Sequence, residues 1–132
     1  MGLSYLKIVV IAVVLGMMAR TFGPQSGRAG VEDKTTRLIE MLVSMRTGID
    51  IYRAEHEGKL PSTNSSEHFV NAMTQSDGHF GPYINDVPEN PFNGLDEVRF
   101  DGEPAGANKA GWRLDTETGA FQADNGFGYS DL

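Results

Sequence analysis

Cysteine is absent from all 132 residues. That excludes disulfides, thiolate catalysis and any cysteine-based zinc site together, and it fits either redox compartment. Acid is absent from the beginning of the chain. All 18 acidic residues lie at Glu32 or beyond, whereas Lys7, Arg20 and Arg28 precede it. Setting those three aside leaves eight of the 11 lysines and arginines, so the part from Glu32 onward carries −10. Such a surface repels phosphates and anionic lipid alike; nucleic acid is not an expected partner.

The familiar signatures of catalysis are missing too. No serine sits in a G-x-S-x-G turn, no glycine loop runs into Lys-Ser/Thr, and no G-x-G-x-x-G follows a strand. His56, His68 and His79 are scattered, with neither an i, i+4 ligand pair nor an H-E-x-x-H arrangement, and read as solvated surface. The carboxylate pairs Asp96-Glu97 and Asp115 with Glu117 lie in turn-like stretches without a predicted cleft. General acid–base work needs a perturbed carboxyl in a pocket. No enzymatic activity and no cofactor are expected. Calcium is the one cation to consider, because Asp115, Glu117, Asp124, Asn125 and Asp131 could gather oxygens near one hairpin. A D-x-D-x-D-G loop is lacking, so a solvated acidic face is the default.

What is present is organised around the first sixty residues. Ile8, Val9, Val10, Ile11, Ala12, Val13, Val14, Leu15, Gly16, Met17, Met18 and Ala19 form an uncharged run between Lys7 and Arg20. As a helix, those twelve residues reach only about 18 Å. With Tyr5, Leu6 and Phe22 the segment reaches about 27 Å, enough to span the hydrocarbon core barely, with Lys7 and Arg20 snorkelling. A cleaved signal peptide competes, although Met17-Met18-Ala19 fits a small-residue cleavage site poorly. A buried soluble helix is the third alternative. Residues 1–22 are thus expected to form a membrane-anchoring helix, followed by a Gly/Pro joint over 23–31 that contains Gly23-Pro24.

The soluble head is expected over 32–132. Leu38, Leu42, Met45, Ile49 and Tyr52 recur at intervals of four, three, four and three, the stripe of one amphipathic helix over 32–57. Gly58 and Pro61 supply its stop. A loop with a short helix fills 58–96, where Asn64 and Glu67 have the form of a capping box ahead of Phe69, Val70, Ala72 and Met73. Strands are expected over 97–125, since Val98 and Phe100, Trp112 and Leu114, and Phe121 and Ala123 alternate with polar residues. Thr116-Glu117-Thr118-Gly119 makes a hairpin loop. Trp112, Leu114, Phe121 and Ala123 then share one face, which the helical stripe can cover. The tail, 126–132, is expected to be loose or held only by its aromatics. The fold class is α+β: a long N-terminal helix, half membrane-inserting and half amphipathic, on a small antiparallel sheet.

Four stretches, taken in order, resemble one family. Leu15-Gly16 lies in the apolar run, and Pro24 follows. Tyr52-Arg53 through Leu60-Pro61 closes the amphipathic helix, and Tyr83 then leads through four residues into Pro88-Glu89-Asn90-Pro91-Phe92. Gly111-Trp112, the Thr-Gly turn and Ala123-Asp124-Asn125 add a C-terminal hairpin. Together they are similar to type IV pilins and type II secretion pseudopilins, above all to the major pseudopilin. The resemblance implies a pilin-like fold and a structural subunit whose apolar helix (Ile8, Val9, Val10, Ile11, Val13, Val14 and Leu15) bundles with copies of itself or other pilin-like subunits. It also implies a single pass through the inner membrane with the head outside the cytoplasm, Tyr83, Pro88, Pro91 and Phe92 as the motif loop, and processing between Gly2 and Leu3. The chain departs from the family at Lys7, where the family has a glutamate that meets a neighbour's free amine, and in a leader of only Met1-Gly2. The alternative function is an anchored or exported binding module that uses the loop from Asp77 to Asn93, long enough at seventeen residues to be functional.

Overall fold

The computed structural model describes residues 29–132, so the expectations for Ile8–Ala19 and for most of the Gly/Pro joint lie outside the described residues. The compact head runs from Lys34 to Leu132.

Helix α1 spans Ala29–Glu55 and so takes in the last residues of the expected joint. No proline interrupts it. Glu32 in its first turn and Arg53 in its last complement the helix dipole. It ends because Glu57 and Gly58 both take positive φ, 57° and 82°, and the Gly58 amide folds back onto the Arg53 carbonyl at 2.7 Å. One stripe is buried completely: Leu38, Leu42, Met45 and Ile49 are each at most 2% exposed. Gly48 belongs to the same buried face. A Cβ there would come within 2.8 Å of Ile84 Cγ2 and 3.2 Å of the Tyr83 carbonyl, so the loop after the short helix lies directly on the α1 backbone.

Helix α2, Ser66–Thr74, is capped by Ser65, not by Asn64 as its sequence suggested. Ser65 has extended backbone angles, which bring its hydroxyl to the His68 amide at 3.1 Å. Phe69 and Met73 are the buried residues of α2.

Three short strands follow, β1 (Val98–Arg99), β2 (Trp112–Leu114) and β3 (Phe121–Ala123), paired in that order. Strands β2 and β3 are antiparallel, with Trp112 opposite Ala123 and Leu114 opposite Phe121. Strand β1 pairs with β2 in parallel, so the sheet is mixed where an antiparallel one was expected. The reason lies in residues 100–111. A parallel return needs a connection of about a dozen residues, and this loop is wound around the carboxylate of Asp124. That group accepts hydrogen bonds from the backbone amides of Gly106, Ala107, Lys109 and Ala110 at 2.9–3.1 Å. Gly111 ends the loop against the segment that leads into β1. A Cβ there would lie 1.9 Å from the Leu95 carbonyl oxygen.

The α1 stripe, Phe69 and Met73 of α2, and Trp112, Leu114, Phe121 and Ala123 of the sheet form one apolar cluster, with Val87 and Val98 also in it. Phe121 stacks on both Trp112 and Phe69, at 5.5 and 6.4 Å. The tail is fastened by hydrogen bonds as well as by an aromatic contact, where a tail loose or held only by its aromatics was expected. Gln122 donates to the Ser130 carbonyl, Arg46 of α1 donates to the carbonyls of Phe121 and Leu132, and Tyr129 packs on Phe92 at 4.5 Å. The head is therefore α+β, a long helix on a small mixed sheet. Among the described residues, no helix is long and apolar enough to cross a membrane.

Candidate functional site

Gly2, Leu3 and the assembly residues Ile8, Val9, Val10, Ile11, Val13, Val14 and Leu15 lie outside the described residues. The expected helix–sheet core residues Leu38, Leu42, Met45, Ile49, Trp112, Leu114 and Phe121 lie in the apolar cluster, with Tyr52 packed against it, and the motif loop fastens the head together with a recess beside it.

Tyr83, Pro88, Pro91 and Phe92 of the motif loop are half-buried. Tyr83 meets Tyr52 edge to face at 5.2 Å, and its hydroxyl donates to Glu55 at 2.8 Å. Burial, reinforced by that carboxylate, raises the Tyr83 pKa well above the usual phenol value. The carbonyl of Pro88 accepts from the indole of Trp112 at 2.8 Å. Asn90 is completely buried. Its side-chain amide donates to the Gly111 carbonyl and to Asn125, both at 2.9 Å, while its side-chain oxygen accepts from the Phe92 amide. Its backbone also closes the turn, donating to Leu95 and accepting from Gly94. Pro91 and Phe92 begin that turn, and Phe92 lies between Tyr129 and the ammonium of Lys34, which is 6.0 Å from its ring. Every anchor of this loop is spent on holding other elements in place.

The recess lies between the end of α1, α2 and the loop 75–83, and its volume is about 340 Å³. Four rings line it: Tyr52, His56, Phe80 and Tyr83. His56 is stacked flat on Tyr52 at 3.9 Å, with its Nδ1 against the Tyr52 carbonyl at 2.8 Å, and Phe80 tilts against it at 5.6 Å. The i, i+4 spacing of Tyr52, in the last turn of α1, and His56, just past its end, produces the stack. Asn71, Gln75 and Asp77 supply polar groups.

The wall that carries Phe80 is held by local hydrogen bonds. One oxygen of Asp77 accepts from the amides of His79 and Phe80 at 2.9 and 2.8 Å, and Ser76 donates to the Phe80 carbonyl. Those two amides, led by that of Phe80, hold the Asp77 carboxyl below its ordinary pKa. The amides of Tyr83 and Ile84 return to the Met73 carbonyl and close the loop onto α2. Phe80 is nonetheless 38% exposed.

The carboxylates considered for calcium do not converge. Asp124 is fully buried and bound bidentately by Arg99, at 2.7 and 2.9 Å, besides its four amides. Burial alone would raise its pKa, but Arg99 and those amides outweigh it and keep the carboxyl low. Asp115 caps the hairpin turn, accepting from Glu117 and Thr118, and those amides lower its pKa. Among the described residues, no group of three or more histidine or acidic side chains could hold a metal. Sequence reasoning missed His56 as a ring of the recess, Asn90 as a buried anchor and Gly48 as a contact point. The signals were Tyr52 one turn before His56, and a glycine inside an otherwise unbroken helical stripe.

No family model, curated protein or solved structure matches the chain.

Proposed function

We propose that the chain is a structural subunit of a pilin-like or type II secretion pseudopilus filament. Its apolar N-terminal segment enters the inner membrane and then bundles with copies, and the acidic head is displayed outside the cytoplasm. One observation supports this reading above the others: the three stretches of the resemblance that lie within the described residues are neighbours in space. Tyr52, which begins one motif, meets Tyr83, which begins the next, and Pro88 of the second binds Trp112 of the third. A motif whose residues fasten helix to loop and loop to hairpin suits a rigid head carried on a rod. Heterologous contacts between such rods that do not close on themselves generate helical filaments.

Detergent phase separation and native mass measurement test the proposal. The full chain is expected in the detergent phase and in assemblies, whereas a variant lacking residues 3–20 is expected in water as a monomer. Oligomers of undiminished size from the truncated chain would remove the bundling role. Intact mass of the isolated protein distinguishes an uncut chain, removal of Met1-Gly2 and loss of the first nineteen residues.

A second reading is favoured by the recess: an anchored or exported head that binds a partner through residues 77–93. Replacing residues 77–81 with a short linker, which leaves the anchors Tyr83, Pro88 and Asn90 in place, then abolishes binding and leaves membrane localisation intact.

A further inference from the structure

We infer that the aromatic recess between α1, α2 and the loop 75–83 is a binding site for an alkylammonium group, such as a lysine side chain or a choline-type headgroup. The inference rests on the second reading above and names its ligand class; it does not depend on filament formation.

Three features of the recess select a cation over a neutral or anionic ligand. Its rings are the first. Tyr52, His56, Phe80 and Tyr83 bring π-faces and edges to a cavity of about 340 Å³, and the negative face of an aromatic ring attracts an ammonium. Its charge is the second. Among the described residues no lysine or arginine lines the cavity, whereas Asp77 does, and Glu55 sits next to it on the Tyr83 hydroxyl. An anion entering here would meet the Asp77 carboxylate on the lining itself.

The third is how Asp77 is used. Only its Oδ1 accepts the backbone amides of His79 and Phe80. No hydrogen bond engages Oδ2 within the described residues, so one oxygen fixes the wall and the other is available to a ligand. Asn71 and Gln75 share a weak 3.3 Å contact and retain further donor and acceptor capacity at the rim. Phe80 is kept partly in water by a closed loop when burial would have been the favourable fate of its ring.

The test uses the full chain in detergent micelles, followed by NMR of the ring protons of His56 and Phe80. Four probes are titrated: choline, N-acetyl-lysine methylamide, acetate, and 3,3-dimethylbutanol, which has the shape of choline without its charge. Choline or the lysine derivative is expected to bind at least about tenfold more tightly than the neutral isostere, which matches about 1.4 kcal/mol for a partly desolvated cation–π contact. Acetate is expected to produce no saturable shift. Tighter binding of choline identifies a quaternary ammonium ligand, and tighter binding of the lysine derivative a protein side chain.

Two variants separate charge from grease. Asp77→Asn keeps an oxygen for the two amides but removes the carboxylate, and Phe80→Leu keeps the bulk but removes the π-face. Each is expected to reduce the preference for the cation several-fold without changing the fold seen by circular dichroism. Equal binding of choline and its isostere, saturable binding of acetate, no binding of either cation, or unchanged binding by both variants would overturn the assignment. Loss of membrane localisation or assembly in the same full chain bears on the filament reading alone, so the two failures remain distinguishable.

Discussion

Asp124 shows how much of this fold hangs on one carboxylate. Its fully buried side chain satisfies four amides of one loop and the guanidinium of Arg99. Asp124→Asn turns one oxygen into a donor facing two amide donors and leaves Arg99 without its buried counter-charge. Breaking a buried pair from one side costs about 3–5 kcal/mol, so urea denaturation is expected to show a loss of that size. The pH dependence has a fixed sign. The folded-state pKa of Asp124 is depressed, so its stabilisation is complete above the unfolded carboxyl value of about 3.9 and disappears as pH falls through the lower folded value. Thermal melts are therefore expected to be insensitive to Asp124 titration near neutrality and to fall below about pH 4. The Asp124→Asn protein should lack that part of the fall. Asn90 makes a parallel case with a neutral group. Asn90→Leu strands the Phe92 amide and takes a donor from Asn125, at about 1–3 kcal/mol each, while the Gly111 carbonyl keeps the Asp124 amide. The measured loss should exceed about 2 kcal/mol, and hydrogen exchange at Phe92 should accelerate.

At the scale of elements, periodicity made α1 legible and chain direction did not. The Leu38–Tyr52 stripe and the shared face of Trp112, Leu114, Phe121 and Ala123 are consequences of periods of 3.6 and 2, which a sequence displays directly. The parallel sense of β1 is decided by what the loop 100–111 does. That depends on a carboxylate at position 124 meeting amides from positions 106 to 110, a contact invisible to local pattern. The recess escaped notice for the same reason: His56 looked like surface because its partners, Phe80 and Tyr83, come from another element. Gly48 offers a test of how closely elements approach. Helix propensity alone predicts that Gly48→Ala stabilises by up to about 1 kcal/mol. The new methyl, however, would enter the space of Ile84 Cγ2, Met73 Cε and the Tyr83 carbonyl. Two of these are movable side-chain ends and one is backbone, so overpacking of about 1–3 kcal/mol is expected to win. A net loss near 1 kcal/mol in chemical denaturation supports the close approach; a gain would mean the loop stands off from α1.

For the molecule as a whole, the distribution of charge sets the question. The head is acidic, the only charged side chains of the first 31 residues are the positive Lys7, Arg20 and Arg28, and Lys7 stands next to the apolar run. Under the proposed assembly, processing after Gly2 would leave a free amine on Leu3. Each bundled copy would then bring that amine near a neighbour's Lys7, two like charges in a medium that screens poorly. Assembly would be weakened by design or would require the amine to stay away from Lys7. Lys7→Glu discriminates between these arrangements, because it converts the repulsion into a pair. If amine and side chain meet, the variant is expected to shift the monomer–oligomer balance toward assembly by about tenfold or more, equivalent to about 1.4 kcal/mol per contact. Sedimentation in detergent at matched concentration reads the shift. An unchanged balance with Gly2 removed would mean that the copies associate in a register that separates these groups. Reduced assembly would mean that Lys7 pairs with an acid, and the only acids in this chain lie in the head.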